Sequence, residues 1–183
     1  MTVRLHLVVG GQSSGKSAWA EKTVLAATEE WLRPVIICPC IAFDDGMKQR
    51  IQAHQEARHE RWLTVETFDI THVFDQIDPD VPVLVDAVDT WLSQRAYELG
   101  LDQADPTDEI ARSRSLIDEA SRFGELAKER IAPTVVIAGV PGMGLVPLGT
   151  ETRRLVDLHG RITQALHPDL VTWVHAGRVI AQG

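Results

Sequence analysis

The chain has 183 residues, 44% of them hydrophobic and 24% charged, with a net charge of −8 and a pI near 5.3. That size and composition suit one soluble globular domain over residues 1–183, and the acidic balance argues against general nucleic-acid or acidic-membrane binding. No apolar run reaches the roughly 18 residues of a bilayer span, and the start Met1-Thr2-Val3-Arg4-Leu5-His6 lacks the three-part pattern of a signal peptide, so a cytoplasmic enzyme is expected.

Val3 to Val9 is an apolar run that predicts a buried first strand. Gly10-Gly11-Gln12-Ser13-Ser14-Gly15-Lys16-Ser17 follows at once and matches G-x-x-x-x-G-K-[ST], the phosphate-binding loop. A helix is expected from Lys16 to about Leu32, with Trp19, Ala20, Val24 and Leu25 as its apolar stripe. Pro34 opens a second strand, Val35-Ile36-Ile37-Cys38. Cys38 and Cys40 are too close in sequence for an ordinary structural disulfide, and buried thiols are the simpler expectation over a metal or redox pair. Asp44-Asp45-Gly46 is a turn and helix start, with carboxylates at the positive end of a helix running from about Met47 to Glu60. Trp62 to Glu66 is a candidate third strand, and Ile70 to Ile77 a short helix ended by Asp78-Pro79-Asp80.

Val81 to Val85 is a strongly apolar strand that ends in Asp86, and Thr90 to Leu99 continues as a helix. The polar, proline-containing stretch Gly100 to Thr107 is expected to be an exposed loop. Asp105 then caps a helix with Pro106 in its first turn. It runs to Ile131, with Ile110, Ile117, Ala120, Phe123, Ala127 and Ile131 on one side. Thr134 to Ala138 is the next strand, and Gly142-Met143-Gly144-Leu145-Val146-Pro147 a second glycine loop. Thr150 to Leu166 is a helix with Leu155, Leu158, Ile162 and Leu166 as a buried stripe. Leu170 to His175 and Arg178 to Ala181 form a hairpin around Ala176-Gly177. The alternation of strands and helices predicts an α/β fold, a P-loop (RecA-like) mostly parallel sheet flanked by helices. The last hairpin adds an antiparallel edge. Ligands of such sheets sit at the carboxyl ends of the strands.

The phosphate loop lies between a strand and a helix, the context its chemistry requires. Its glycines let successive N–H groups point at phosphate oxygens, and the helix directs its positive end there. Lys16 is expected to neutralise the β- and γ-phosphates, and the Ser17 hydroxyl to ligate Mg²⁺. Asp86 stands where phosphate-loop enzymes carry an acid that holds Mg²⁺ directly or through water; the alternative is a strand-end residue capping the next helix. Asp89, one turn on, either shares that task or is solvated. Arg50, His54 and Arg58 are spaced i, i+4, i+8 and share one helix face. A histidine between two guanidinium groups suits a polyphosphate site, although on spacing alone a solvated face is the simpler account. His6, His72, His159, His167 and His175 show no ligand spacing.

The run Asp44-Asp45-Gly46-Met47-x-x-Arg50-Ile51-x-x-His54-x-x-x-Arg58-x-x-x-Trp62-x-Thr64-x-Glu66 resembles the bifunctional adenosylcobinamide kinase/adenosylcobinamide-phosphate guanylyltransferase family. So do the phosphate loop, Gly142-x-Gly144-x-Val146-Pro147 and Arg154-x-x-Asp157-x-x-Gly160-Arg161-x-x-Gln164. The resemblance implies phosphorylation of adenosylcobinamide with ATP or GTP, then GMP transfer from GTP through a guanylylated histidine, His54 in this chain. It also implies Arg50, Arg58, Glu66 and Asp86 at the nucleotide, and a homotrimer with sites near subunit contacts. The chain departs from the family pattern at several positions. Gly139-Val140 replaces Asn-Glu, and Asp86-Ala87-Val88-Asp89 replaces Asp/Glu-Cys-x-Thr. Gln94 replaces asparagine, Cys38-Pro39 a small Ala-Thr, and Gly46 an acid. These departures keep open a divergent paralogue that phosphorylates another small alcohol or binds nucleotide without turnover. A nucleic-acid ATPase is disfavoured by the acidic charge.

Overall fold

The computed structural model describes residues 3–39, 60–143 and 147–183. Arg50, His54, Arg58, Cys40 and the expected helix from Met47 to Glu60 therefore lie outside the described residues, except for Glu60 itself, which stands in a turn.

Four strands are short apolar runs, as a sheet covered on both faces requires. They are β1 (Leu5–Val9), β2 (Val35–Cys38), β4 (Val83–Asp86) and β5 (Thr134–Ala138), and all their residues but Asp86 are buried. β3 (Leu63–Glu66), β6 (Leu170–His175) and β7 (Arg178–Gln182) complete the described sheet in the order β3-β2-β4-β5-β1-β6-β7. Every pairing is parallel except β6 with β7. The helices between them are α1 (Lys16–Ala26), α2 (Ile70–Gln76), α3 (Val88–Glu98), α4 (Pro106–Glu129) and α5 (Thr150–Ala165).

Alternate strand residues feed two cores. Leu5, Leu7, Val9, Ile37 and Val85 pack with residues of α2 to α5 on one face. Val8, Ile36, Leu84 and Ile137 pack with Ala20 and Val24 of α1 on the other, together with Trp62. The predicted architecture is the one observed.

Local differences have identifiable causes. α1 stops at Ala26 rather than near Leu32. The carbonyls of Thr28, Glu29 and Leu32 are taken by the Arg61 guanidinium at 3.1, 2.6 and 3.2 Å, so they need no further helical turn. The expected exposed loop after α3 contains a short 3₁₀ turn, Leu101–Gln103, that buries Leu101. Arg112 closes it by donating to the carbonyls of Leu99 and Gly100, both at 2.7 Å. On α4 the buried face is Leu116, Ala120, Phe123 and Ala127, whereas Ile110 and Ile131 are 71% and 59% exposed. Ile110 is six residues before Leu116, which turns it well away from that face at 3.6 residues per turn. Ile131 lies past the helix end, where its amide bonds Pro79.

The strand that carries the phosphate loop is anchored at its start. Asp169, just before β6, accepts the N–H groups of Arg4 and Leu5 at 2.8 and 2.9 Å. The Leu5 amide chiefly holds its carboxyl below the ordinary range, against a smaller opposing effect of burial. A depressed native pKa contributes stability above the unfolded value near 3.9, which is lost as the pH falls through the native value. We expect Asp169→Ala to lower unfolding free energy by about 2 kcal/mol in urea at neutral pH, as for hydrogen bonds to a charged group. That gap should begin to shrink below about pH 4, where the unfolded carboxyl takes up its proton, and close as the pH falls through the depressed native value.

Candidate active site

The loop after β1 is shaped by its glycines and by the end of the chain. Gly15 adopts φ +87°, a left-handed conformation, at the start of α1. A β-carbon there would stand 2.8 Å from Cα of Gly177. A β-carbon on Gly10 would meet the Val174 carbonyl and Ser14 Oγ. The turn of the β6–β7 hairpin, Ala176-Gly177, has positive φ at both residues, as a tight two-residue hairpin needs. Its Gly177 amide donates to the Ser14 carbonyl at 2.7 Å. The terminal hairpin therefore buttresses the phosphate loop.

Within the loop, the Ser14 amide bonds the Gly11 carbonyl at 3.2 Å, and Lys16 Nζ lies 3.3 Å from the same oxygen. Gln12 and Ser13 are exposed; Ser14 is buried. Ser17 Oγ donates to Asp86 Oδ1 at 3.4 Å. Asp86 reaches the loop because β4 lies two places from β1, with only β5 between, and all three point the same way. A hydroxyl and a carboxylate side by side are hard oxygen donors of the kind that hold Mg²⁺ together with phosphate and water. The structure brings together Gly10 to Ser17 and Asp86. It does not bring Glu66 to them: β3 is the far edge strand, four strand spacings or about 19 Å from β1.

A second cluster follows from no motif in the sequence. Asp89, in the first turn of α3, accepts the Gly139 amide on both oxygens at 2.9 and 2.8 Å. Its Oδ1 also lies 2.6 Å from Nε2 of His159 on α5. His159 is buried, while 42% of the Asp89 side chain is exposed. Burial is the largest single influence on Asp89 and pushes its pKa up. The hydrogen bonds of His159 and Gly139, with the charges of His159 and Lys16, outweigh it and hold the carboxyl below its ordinary range. Asp89, His159, Gly11, Gln12 and Lys16 line one cleft of about 560 Å³.

The sequence signal for this cluster lies in two departures from the family pattern. A β-carbon at position 139 would stand 2.7 Å from Asp89 Oδ2, so a side chain there would displace the Asp89 carboxylate from its present place. His159 carries no signal, because it sits in the apolar stripe of α5 and meets Asp89 across 70 residues. Of the other altered positions, Gln94 is buried and donates to Glu98 at 2.9 Å, and Cys38 is buried at the end of β2.

Residues 6–181 match the cobinamide kinase / cobinamide phosphate guanyltransferase family. The chain belongs to that family. The family's bifunctional adenosylcobalamin biosynthesis protein CobU from Escherichia coli K12 is 30% identical over 165 residues, which is 87% of this chain and 88% of that one. CobU of Salmonella typhimurium LT2 is 30% identical over 164 residues, with the same coverage. The bifunctional protein CobP of Pseudomonas aeruginosa PAO1 is 30% identical over 175 residues, 93% of this chain and 92% of that one. Beyond the family, a solved ATPase domain shares the fold. Its TM-score is 0.51 at 13% identity, covering 94% of this chain and 70% of that domain.

The two loop glycines give a direct check of the hairpin buttress. Gly15→Ala combines a left-handed residue, costing about 1–2 kcal/mol, with the contact at Gly177. A β-carbon on Gly11 would have nothing within 4 Å. Thermal unfolding should show a drop of several degrees for Gly15→Ala and almost none for Gly11→Ala.

Proposed function

We propose that this chain catalyses two linked transfers, phosphorylation of adenosylcobinamide and then guanylylation of the product to adenosylcobinamide-GDP. The observation that carries the reading is the family match over residues 6–181 together with a phosphate loop whose Ser17 meets Asp86 at 3.4 Å. In the first transfer the loop amides and Lys16 hold the phosphates of ATP or GTP. The acceptor hydroxyl oxygen attacks the γ-phosphorus, and the nucleoside diphosphate leaves. Ser17 and Asp86 would hold Mg²⁺, which neutralises phosphate charge. In the second transfer His54, flanked by Arg50 and Arg58, attacks the α-phosphorus of GTP and releases pyrophosphate. A phosphate oxygen of the first product then takes the GMP group from His54. Glu66 is assigned to the nucleotide of this second step, at the same carboxyl edge of the sheet but away from the loop. A cytoplasmic homotrimer over residues 1–183 completes the reading.

Gly139 and Val140 line the cleft and differ from the family pattern, which favours one second reading. In it the chain phosphorylates a different small alcohol with the same loop.

α-Labelled GTP with Mg²⁺, followed by denaturation, tests the two-step reading. Wild-type protein should carry an acid-labile, base-stable label, and His54→Ala should carry none while still phosphorylating cobinamide. Lys16→Ala should lose about a hundredfold or more in phosphate transfer. Equal labelling of wild type and His54→Ala would remove His54 from the mechanism. Transfer to other alcohols but not to cobinamide would favour the second reading.

A further inference from the structure

Phosphate transfer to a hydroxyl releases a proton, and neither the loop nor the Ser17–Asp86 pair accounts for it. We propose that Asp89 is the carboxylate that receives the proton of the acceptor hydroxyl, with His159 and the Gly139 amide as its positioning groups. The inference rests on the kinase half of the function proposed above.

Three observations carry it. Asp89 shares the cleft with Lys16, Gly11 and Gln12, so it faces the space next to the phosphates. Among the described residues lining that cleft, Asp89 is the one carboxylate. Its geometry is also that of a held acceptor. Oδ1 takes both His159 and the Gly139 amide, whereas Oδ2 takes only the shared amide, at 2.8 Å. A carboxylate has about four lone-pair directions, so Oδ2 keeps capacity for a donor from the cleft. The buried His159 ring engages Oδ1, and the Asp89 side chain is half open. Gly139 permits this placement, because any side chain there would collide with Oδ2.

The step balances. The hydroxyl oxygen forms a bond to the γ-phosphorus as the bond from that phosphorus to the bridging oxygen breaks. The diphosphate leaves with the electron pair. The hydroxyl proton passes to Asp89 Oδ2 and from there to water at the cleft mouth. In a loose transition state the hydroxyl becomes acidic late, so an ionised carboxylate suffices even though its basicity is low. Asp86 is a separate group, engaged with Ser17 at the end of β4.

The test is Asp89→Asn, which keeps the shape and an oxygen for the Gly139 amide. The kcat for phosphate transfer to cobinamide should fall by about a hundredfold or more, with the KM for ATP within about threefold. GMP transfer to cobinamide phosphate supplied ready-made should stay within about threefold. Hydrolysis of ATP to water, which needs the same proton acceptor, should fall with the kinase reaction. His159→Gln separates positioning from folding support. It should lower kcat by about tenfold with KM unchanged, and move the acid limb of the kcat profile upward, because Asp89 loses the imidazole charge that helps hold its carboxyl low while Lys16 stays. A kcat for Asp89→Asn within about threefold of wild type overturns the proposal. So does an equal loss in both half-reactions, or an acid limb unmoved in His159→Gln. If wild type hydrolyses ATP but does not phosphorylate cobinamide, the substrate assignment fails while hydrolysis by Asp89→Asn still decides the role of Asp89. Wild type that does neither overturns both.

Discussion

The hydrogen bond from the Gly177 amide to the Ser14 carbonyl joins the last turn of the chain to its first functional loop. A phosphate loop works only if its N–H groups are already aimed when the nucleotide arrives, since ordering them on binding would cost affinity. Here the preorganisation comes from both ends of the sheet order β5-β1-β6-β7. β1 is anchored at its start by Asp169, paired on both edges along its length, and capped at its end by the β6–β7 turn. The glycines at 10 and 15 let the backbones come this close, and Gly177 takes the positive φ of the turn. The antiparallel hairpin is therefore part of the site's support, although it contributes no reacting group.

The same sheet places the second acid. Parallel strands send their carboxyl ends to one edge, so residues far apart in sequence arrive at the loop in a fixed order. Asp86 at the end of β4 reaches Ser17, and Gly139 just past β5 lies between β1 and β4. Asp89 is tied to that Gly139 amide and so is drawn over the end of β5 toward Lys16. The aspartate, the glycine that makes room for it and the buried histidine behind it form one mutually dependent unit. Without Asp89 the buried His159 ring and the Gly139 amide lose their partner, and a side chain at position 139 would crowd Oδ2.

The fold was legible because the apolar runs are short and bounded by turn residues. β2, β5 and β6 have the extents their sequences suggest, and the loop motif names its own context. What escaped the sequence was set by distant partners. Arg61 takes the carbonyls just past the end of α1 from about thirty residues away, where the sequence would let the helix continue, and periodicity cannot register that. Arg112 turns an expected solvent loop inward and buries Leu101. His159 looks like one more residue of an amphipathic helix until Asp89 is placed beside it. The loop, Ser17 and Asp86 were readable from spacing, whereas the Asp89–His159 pair required the sheet order.

In the proposed two-step reading, one chain phosphorylates the cobinamide hydroxyl and then transfers GMP to the phosphate it has made. The direct measurement is the mass of the products formed from cobinamide with ATP and Mg²⁺, and again after GTP is added. Cobinamide phosphate is expected in the first incubation and cobinamide-GDP, with stoichiometric pyrophosphate, in the second. Cobinamide recovered unchanged from both would overturn the two-step reading.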